Sequence, residues 1–249
     1  MITVADIGNS YLKIARWDGR SVRDTLRVRH RDLLDSDWQA ALDAAQELSR
    51  EGVFVASVAG PGAEQVFEAW LLKRGHDRPV FLKSSAEACG VRNAYSRPES
   101  LGIDRWCAMI AARKLHQRPL CIVDAGTAVT VDWVDKDGLH RGGMIMPGPN
   151  LQADSLFSNT RHLHESSAAP SRMFADNTSE GIAAGVCNAC SALVDRACCV
   201  IEASGEGAPT LVLTGGESSR ILPLLARHAE VHDDLVLRGV ALLAEEQRG

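Results

Sequence analysis

Asp6-Ile7-Gly8-Asn9-Ser10 and Asp124-Ala125-Gly126-Thr127-Ala128 are two copies of one short pattern, and their reading decides the fold. Each copy follows a short apolar run, Ile2-Thr3-Val4-Ala5 or Leu120-Cys121-Ile122-Val123. Each precedes a second strand-like run, residues 11–17 or 129–133. Both read as strand, tight Gly turn, strand. A Gly turn presents backbone N–H groups and lets a phosphate approach without a Cβ in the way. An Asp just before such a turn is suited to hold a metal ion or its water shell. Alone, either motif is also a plain hairpin whose Asp and Asn satisfy turn chemistry. The repetition argues for a pair of similar halves that clasp a nucleotide.

Working outward, the first half predicts three strands to about residue 28, a helix over 37–50 with Ser36 or Asp35 as N-cap, and a strand over 53–58. A helix over 64–74, a strand over 79–82, an irregular stretch over 90–101 and a helix over 102–116 follow. The second half repeats the meander with a turn at Asp135-Lys136-Asp137-Gly138 and a third strand over 139–146. Helices are expected over 150–157, 179–203, 218–228 and 235–247, with a strand over 210–213. The polar segment 161–174 reads as a mobile loop. The halves divide at 1–117 and 118–249, an internal duplication of α/β domains.

Composition narrows the classes. Apolar residues make up 45% and charged residues 24%, ordinary for a globular protein. The formal charge of −5 argues against a nucleic-acid partner. No run reads as a membrane span, and no basic-then-apolar leader opens the chain, which points to the cytoplasm. Seven cysteines, an odd number, suit reduced thiols. Cys187, Cys190, Cys198 and Cys199 fall within one helical stretch among alanines and valines, and read as small buried residues rather than a zinc site. The eight histidines are scattered, and His162 with His164 lacks further ligands. The five tryptophans show no stacking-platform spacing.

Further motifs accompany the loops: Gly102-Ile103-Asp104-Arg105-Trp106, Gly142-Gly143-Met144-Ile145-Met146-Pro147-Gly148, Asn177-Thr178 and Thr214-Gly215-Gly216. In this order they resemble the type III pantothenate kinases, within the superfamily of actin, the heat-shock ATPases and the acetate and sugar kinases. Ser10 stands where that family more often has Thr, and the hydroxyl is kept. The resemblance implies duplicated ribonuclease H-like domains, with mixed sheets flanked by helices and the nucleotide in the cleft between. It implies ATP-dependent phosphorylation of pantothenate, with magnesium, a monovalent cation (potassium or ammonium), and a homodimer.

By that resemblance Asp6, Gly8, Asn9, Ser10, Lys13, Gly126, Thr127, Gly215 and Gly216 bind ATP. Asp6 also serves magnesium, through water or directly, and Asp124 the monovalent cation. Tyr95, Gly102, Ile103, Asp104, Arg105 and Thr178 meet pantothenate, with Asp104 as general base. Each has a plainer reading beside it. Asp104 near a helix start is a common capping residue, Arg105 a surface ion-pair partner, Tyr95 a packing plug and Thr178 an N-cap. Gly142, Gly143 and Gly148 would shape turns around the site. The stripe Ile182, Val186, Cys190, Leu193 and Ala197 fits a dimer face, and equally the domain core. Another small-molecule kinase of the superfamily, such as a sugar kinase, or a non-catalytic regulatory relative, remains the alternative function.

Overall fold

The computed structural model describes residues 1–30, 35–43, 48, 51–159, 170 and 172–249. The chain forms two compact units, Met1–Lys114 with Asp234–Gly249, and Leu115–Asp233.

In the first unit, β1 (Ile2–Ile7), β2 (Tyr11–Trp17) and β3 (Val22–Arg29) form an antiparallel meander. After α1 (Asp35–Leu42), β4 (Val53–Ser57) adds parallel to β1. Helix α2 (Pro61–Lys73) then leads to the short edge strand β5 (Val80–Phe81), giving the order β3-β2-β1-β4-β5. A small hairpin, β6 (Glu87–Ala88) with β7 (Val91–Arg92), precedes α3 (Ile103–Leu115).

The second unit repeats the plan. Its strands are β8 (Leu120–Ala125), β9 (Ala128–Val134) and β10 (His140–Pro147), then β11 (Thr210–Thr214) and β12 (Glu230–Val231). Their order is β10-β9-β8-β11-β12, the same as in the first sheet. Between them lie α4 (Pro149–Asn159), α5 (Thr178–Ile201) and α6 (Ser218–Ile221). Helix α7 (Leu235–Arg248) closes the chain.

The duplication extends to burial. β1 and β8 are central strands covered on both faces, and both are buried at every position except the fifth, which is half-buried. That fifth position is Asp6 in one and Asp124 in the other. A strand buried on both faces reads as a continuous apolar run, so a carboxylate at its end is the exception that marks a site.

One face of the first sheet packs Ala5, Ile7, Leu12, Ile14 and Val55 against Trp38 and Leu42 of α1 and Phe67, Trp70 and Leu71 of α2. In the second unit, Val194, Ala197, Cys198 and Ile201 of α5 cover Cys121, Val123, Val131 and Leu213. Each Val, Leu, Ile or Phe fully buried there contributes roughly 1.5–3 kcal/mol.

Several elements depart from the sequence reading. Helix α7 belongs to the first unit, although the linear division places it with residues 118–249. Its Glu245 accepts from the Trp17 indole at 2.6 Å, and its Glu246 from the Cys89 amide at 2.8 Å. At Gly239, α7 meets α3 backbone to backbone, and a methyl there would overlap the Cys107 carbonyl. Helix α2 starts at Pro61, whose fixed φ suits the first helical position. Helix α6 ends at Ile221 instead of 228, because Pro223 supplies no N–H and forces a tighter turn over 222–224. The two-residue strand β12 gives no periodic signal and was not expected. Gly142 and Gly143 lie within β10, Gly142 at a bulge with φ +113°, so they bend a strand rather than form a turn.

The run from Thr178 to Glu206 is long and apolar enough to cross a membrane by length and composition, with a mean hydropathy of 1.4. The sequence reading missed it because Ala, Gly, Cys and Val spread the apolar character among polar residues. Half of its most apolar 18-residue window is buried within the protein. Cys187, Cys190 and Cys198 are buried in α5 as expected, whereas Cys199 is exposed. Adjacent helical residues point in different directions, so the pair cannot share one environment. His162, His164 and most of 161–174 lie outside the described residues, as do the side chains of Asp35 and Ser36.

Candidate active site

In the first unit, the turn after β1 is closed by the Gly8 amide donating to the Tyr11 carbonyl at 3.0 Å. Antiparallel register sets Asp6 directly opposite Lys13. Facing residues lie on the same side of the sheet with Cβ atoms about 4.5–5.5 Å apart. The meander thus places a carboxylate and an ammonium side by side below the loop Gly8-Asn9-Ser10.

A residue that the sequence left among scattered histidines braces this loop. His30, just beyond β3, has its Nε2 2.7 Å from the Gly8 carbonyl oxygen. A carbonyl only accepts, so Nε2 carries the proton. The His30 amide also donates to the Ser10 carbonyl at 3.1 Å. The ring rests on buried Trp38, with centroids 5.0 Å apart. The only signal in sequence was a His at the end of the third strand of a meander, too common a pattern to single out.

Asp104 lies in the first turn of α3, as expected. Its Oδ1 accepts from the Arg105 amide at 2.8 Å, one of the free N–H groups at a helix start. A Cβ on Gly102 would come within 2.6 Å of that oxygen, so Gly102 makes room for the carboxylate. Ile103 turns its side chain into the core and leaves only its backbone for contacts. Arg105 is buried, and its Nη1 donates to the Tyr95 hydroxyl at 3.1 Å. Asn93 fixes the approach to Tyr95: its Oδ1 accepts from the Tyr95 amide at 3.0 Å, and its Nδ2 donates to the Ser85 carbonyl at 3.1 Å. Burial pushes the Cys107 thiol well up, and the carboxylates of Asp6 and Asp104 raise it further. Asp6 and Asp104, distant in sequence, thus act on one buried group.

The second unit supplies a parallel arrangement. The Gly126 amide donates to the Ala128 carbonyl at 2.9 Å, closing a turn one residue shorter than the first. The Gly148 amide donates to the Thr127 carbonyl at 2.8 Å, and a Cβ on Gly148 would overlap the Gly126 oxygen. Gly215 sits at φ +97°, and a Cβ there would overlap both the Ala125 carbonyl and the Asp124 carboxylate. The Glu217 amide donates to the Ala125 carbonyl at 2.8 Å. Gly126, Thr127, Gly148, Gly215 and Asp124 therefore form one backbone-packed cradle, with Gly216 exposed beside it. Arg220, buried in α6, locks the cradle's flank. Its Nη1 donates to Asn150 Oδ1 at 2.6 Å and Glu217 Oε2 at 2.8 Å, and Asn150 Nδ2 donates to Glu217 Oε1 at 2.9 Å. This trio was not anticipated, because its members are non-local and unremarkable singly.

Thr178 is corrected in one respect. The cap of α5 is Asn177, whose side chain accepts from the Glu180 amide at 3.0 Å, and Thr178 is the first helical residue. Thr178 lines a groove of about 410 Å³ with Gln152, Leu156, Gly181, Ile182 and Val186.

Two sheets of one strand order, each with a carboxylate and a glycine turn at its central strand, are similar in fold to a putative 2-dehydro-3-deoxygalactonokinase from Sinorhizobium meliloti, with a TM-score of 0.53 and 14% identity over 98% of each chain. In fold, the chain is similar to the activator of 2-hydroxyisocaproyl-CoA dehydratase from Clostridium difficile, solved with ADPNP bound. That comparison has a TM-score of 0.55, with 12% identity over 99% of this chain and 96% of that one. The family model for type III pantothenate kinase matches residues 2–199. Type III pantothenate kinase from Nitrosococcus oceani is 37% identical, over 99% of this chain and 94% of the relative. The one from Halorhodospira halophila is 39% identical, over 87% of each. The chain belongs to the type III pantothenate kinases.

The clamp on the first loop is testable without substrate. His30→Ala removes a hydrogen bond worth about 0.5–1.5 kcal/mol, a roughly 2- to 12-fold change in local opening. Hydrogen–deuterium exchange should quicken by that factor in the peptide spanning Gly8 to Tyr11 and remain unchanged in α2. Unaltered exchange at the loop contradicts the clamp.

Proposed function

We propose that the chain transfers the γ-phosphoryl group of ATP to pantothenate, yielding ADP and 4′-phosphopantothenate, the first step of coenzyme A synthesis. Family membership across most of the chain is the observation that carries this reading. The use of ATP as co-substrate supports a cytoplasmic location.

Asp104 is the general base. The pantothenate hydroxyl oxygen attacks the γ-phosphorus, its proton passes to the Asp104 carboxylate, and the bond to the ADP oxygen breaks. The helix start around Asp104 favours the ionised carboxylate that this requires. Arg105 holds the pantothenate carboxylate or a phosphate through forked donors, and Tyr95, which shares its hydroxyl with Arg105, fixes the acceptor. The Gly102 and Ile103 backbone and Thr178 complete the acceptor contacts. Gly8, Asn9, Ser10 and Lys13, with Gly126, Thr127, Gly215 and Gly216, hold ATP through backbone N–H groups, hydroxyls and one ammonium.

Asp6 serves magnesium and Asp124 the monovalent cation. Both are half-buried carboxylates, the hard oxygen donors that such ions prefer. When bound, these cations neutralise phosphate charge.

The second unit is also the face of a homodimer. Leu151 and Leu156 are exposed beside the groove that Gly181 and Ile182 line. Of the predicted stripe, Cys190, Leu193 and Ala197 pack into the unit's own core, so Ile182, Val186 and the small residues around them carry the contact instead. Sedimentation of the intact protein at micromolar concentration should give a dimer; a fully active monomer rejects it.

The reaction itself is tested with Asp104→Asn. Mass spectrometry should find 4′-phosphopantothenate with the unaltered protein. The variant should bind both substrates and melt normally, with kcat lowered by about 10²–10⁴, equivalent to roughly 3–5 kcal/mol. Activity on a sugar and none on pantothenate would move the reading to another kinase. No turnover of either would favour the regulatory one. Near-normal kcat in the variant would leave Asp104 a structural residue.

A further inference from the structure

His116, Glu230 and His232 converge in the second unit, each offering a ligand atom within 4.8 Å of the others. His116 Nε2 lies 3.2 Å from Glu230 Oε2, and His232 Nε2 lies 3.8 Å from the same oxygen. The first separation is within hydrogen-bond reach and the second is beyond it; neither ring nitrogen makes an aligned hydrogen bond, and both atoms are buried from solvent. Buried imidazole nitrogens without a partner are costly.

The 3.2 Å separation is that of neighbouring ligands in a coordination sphere, and the 3.8 Å one is somewhat wider. Four ligands arranged tetrahedrally at zinc bond lengths sit about 3.3 Å from one another. Two imidazoles and one carboxylate form a donor set used by zinc sites that keep a fourth position for water. Glu230 remains 39% exposed, so the open position faces solvent.

The backbone holds the ligands in place. Glu230 and His232 are two residues apart along β12 and its continuation, which puts both side chains on one face of the strand. Pairing of Glu230 with Val212 and the bond from the His232 amide to the Leu213 carbonyl, 2.9 Å, fix that strand to β11. His116 reaches the same point from the turn between α3 and β8.

We propose that His116, Glu230 and His232 bind one divalent transition ion of the zinc type. The site has a structural consequence. His116 follows directly on Leu115, where the second unit begins, and His232 immediately precedes Asp233, where it ends. A bound ion fastens the chain's entry into that unit to its exit. These residues are distinct from those assigned to ATP, pantothenate and their cations.

The test uses the full, tag-free chain, stripped by a chelator and kept free of nucleotide. Zn²⁺ is titrated against a chromophoric competitor, with Co²⁺ as a spectroscopic probe. One ion per chain should bind, Co²⁺ should show four-coordinate visible bands without thiolate charge transfer, and Zn²⁺ should raise the melting temperature. His116→Ala, His232→Ala and Glu230→Gln should each weaken binding by at least about 100-fold and abolish the thermal shift. Glu230→Gln keeps the side chain's shape, and its metal-free melt against the metal-free parent shows that the fold is intact. Absence of stoichiometric Zn²⁺ uptake by the parent overturns the proposal. So does uptake retained in the His116→Ala/His232→Ala double variant, which would place the ion on the cysteines.

Discussion

The approach of the Gly215 backbone to the Asp124 carboxylate is the contact on which the second unit's site depends. No side chain fits between the two, and φ at Gly215 is one that other residues adopt only with strain. The late Thr214-Gly215-Gly216 turn and the early Asp-x-Gly turn are therefore a single object, joined by the Glu217 amide on Ala125 and capped by Gly148 on Thr127. Parallel pairing of Thr214 with Asp124 brings both strand ends to the same level of the sheet. The cradle is made of backbone, which explains why glycine dominates its motifs.

The first unit reaches a related end by different means. β1 and β8 carry their Asp at the same place in the same burial pattern. Yet the first loop is one residue longer, and it is braced by the His30 side chain rather than by packed glycines. It also gains Asp104 from the start of α3, which follows the first unit's strands, whereas the helix that follows the second unit's strands, α7, belongs to the first unit. The two loops share a plan, and they differ in what braces them: a histidine side chain in one, packed glycine backbone in the other.

Much of this was legible in sequence. Glycine turns between apolar runs are local signals, so the two meanders and their carboxylates could be read directly. Asp104 at a helix start was equally local. What escaped was non-local or too short. An amphipathic helix announces its apolar face but not which sheet it covers, so α7 was assigned to the wrong unit. Pro223 stood inside an apolar run and shortened α6. Two residues of β12 show no period, and with them went the juxtaposition of His116, Glu230 and His232. Asn177 and Thr178 are both good caps, and only the backbone angles of Asn177 decide between them. His30 and the trio Asn150, Glu217 and Arg220 derive their meaning from contacts that no spacing predicts.

The central claim is that Asp124 and the cradle around it organise cation and phosphate together. It is tested most directly by turnover of pantothenate as a function of potassium concentration, compared between the parent and Asp124→Ala. The account predicts that turnover falls by at least about 10²-fold and that the response to potassium vanishes with it. Wild-type turnover with an unchanged potassium response would contradict it.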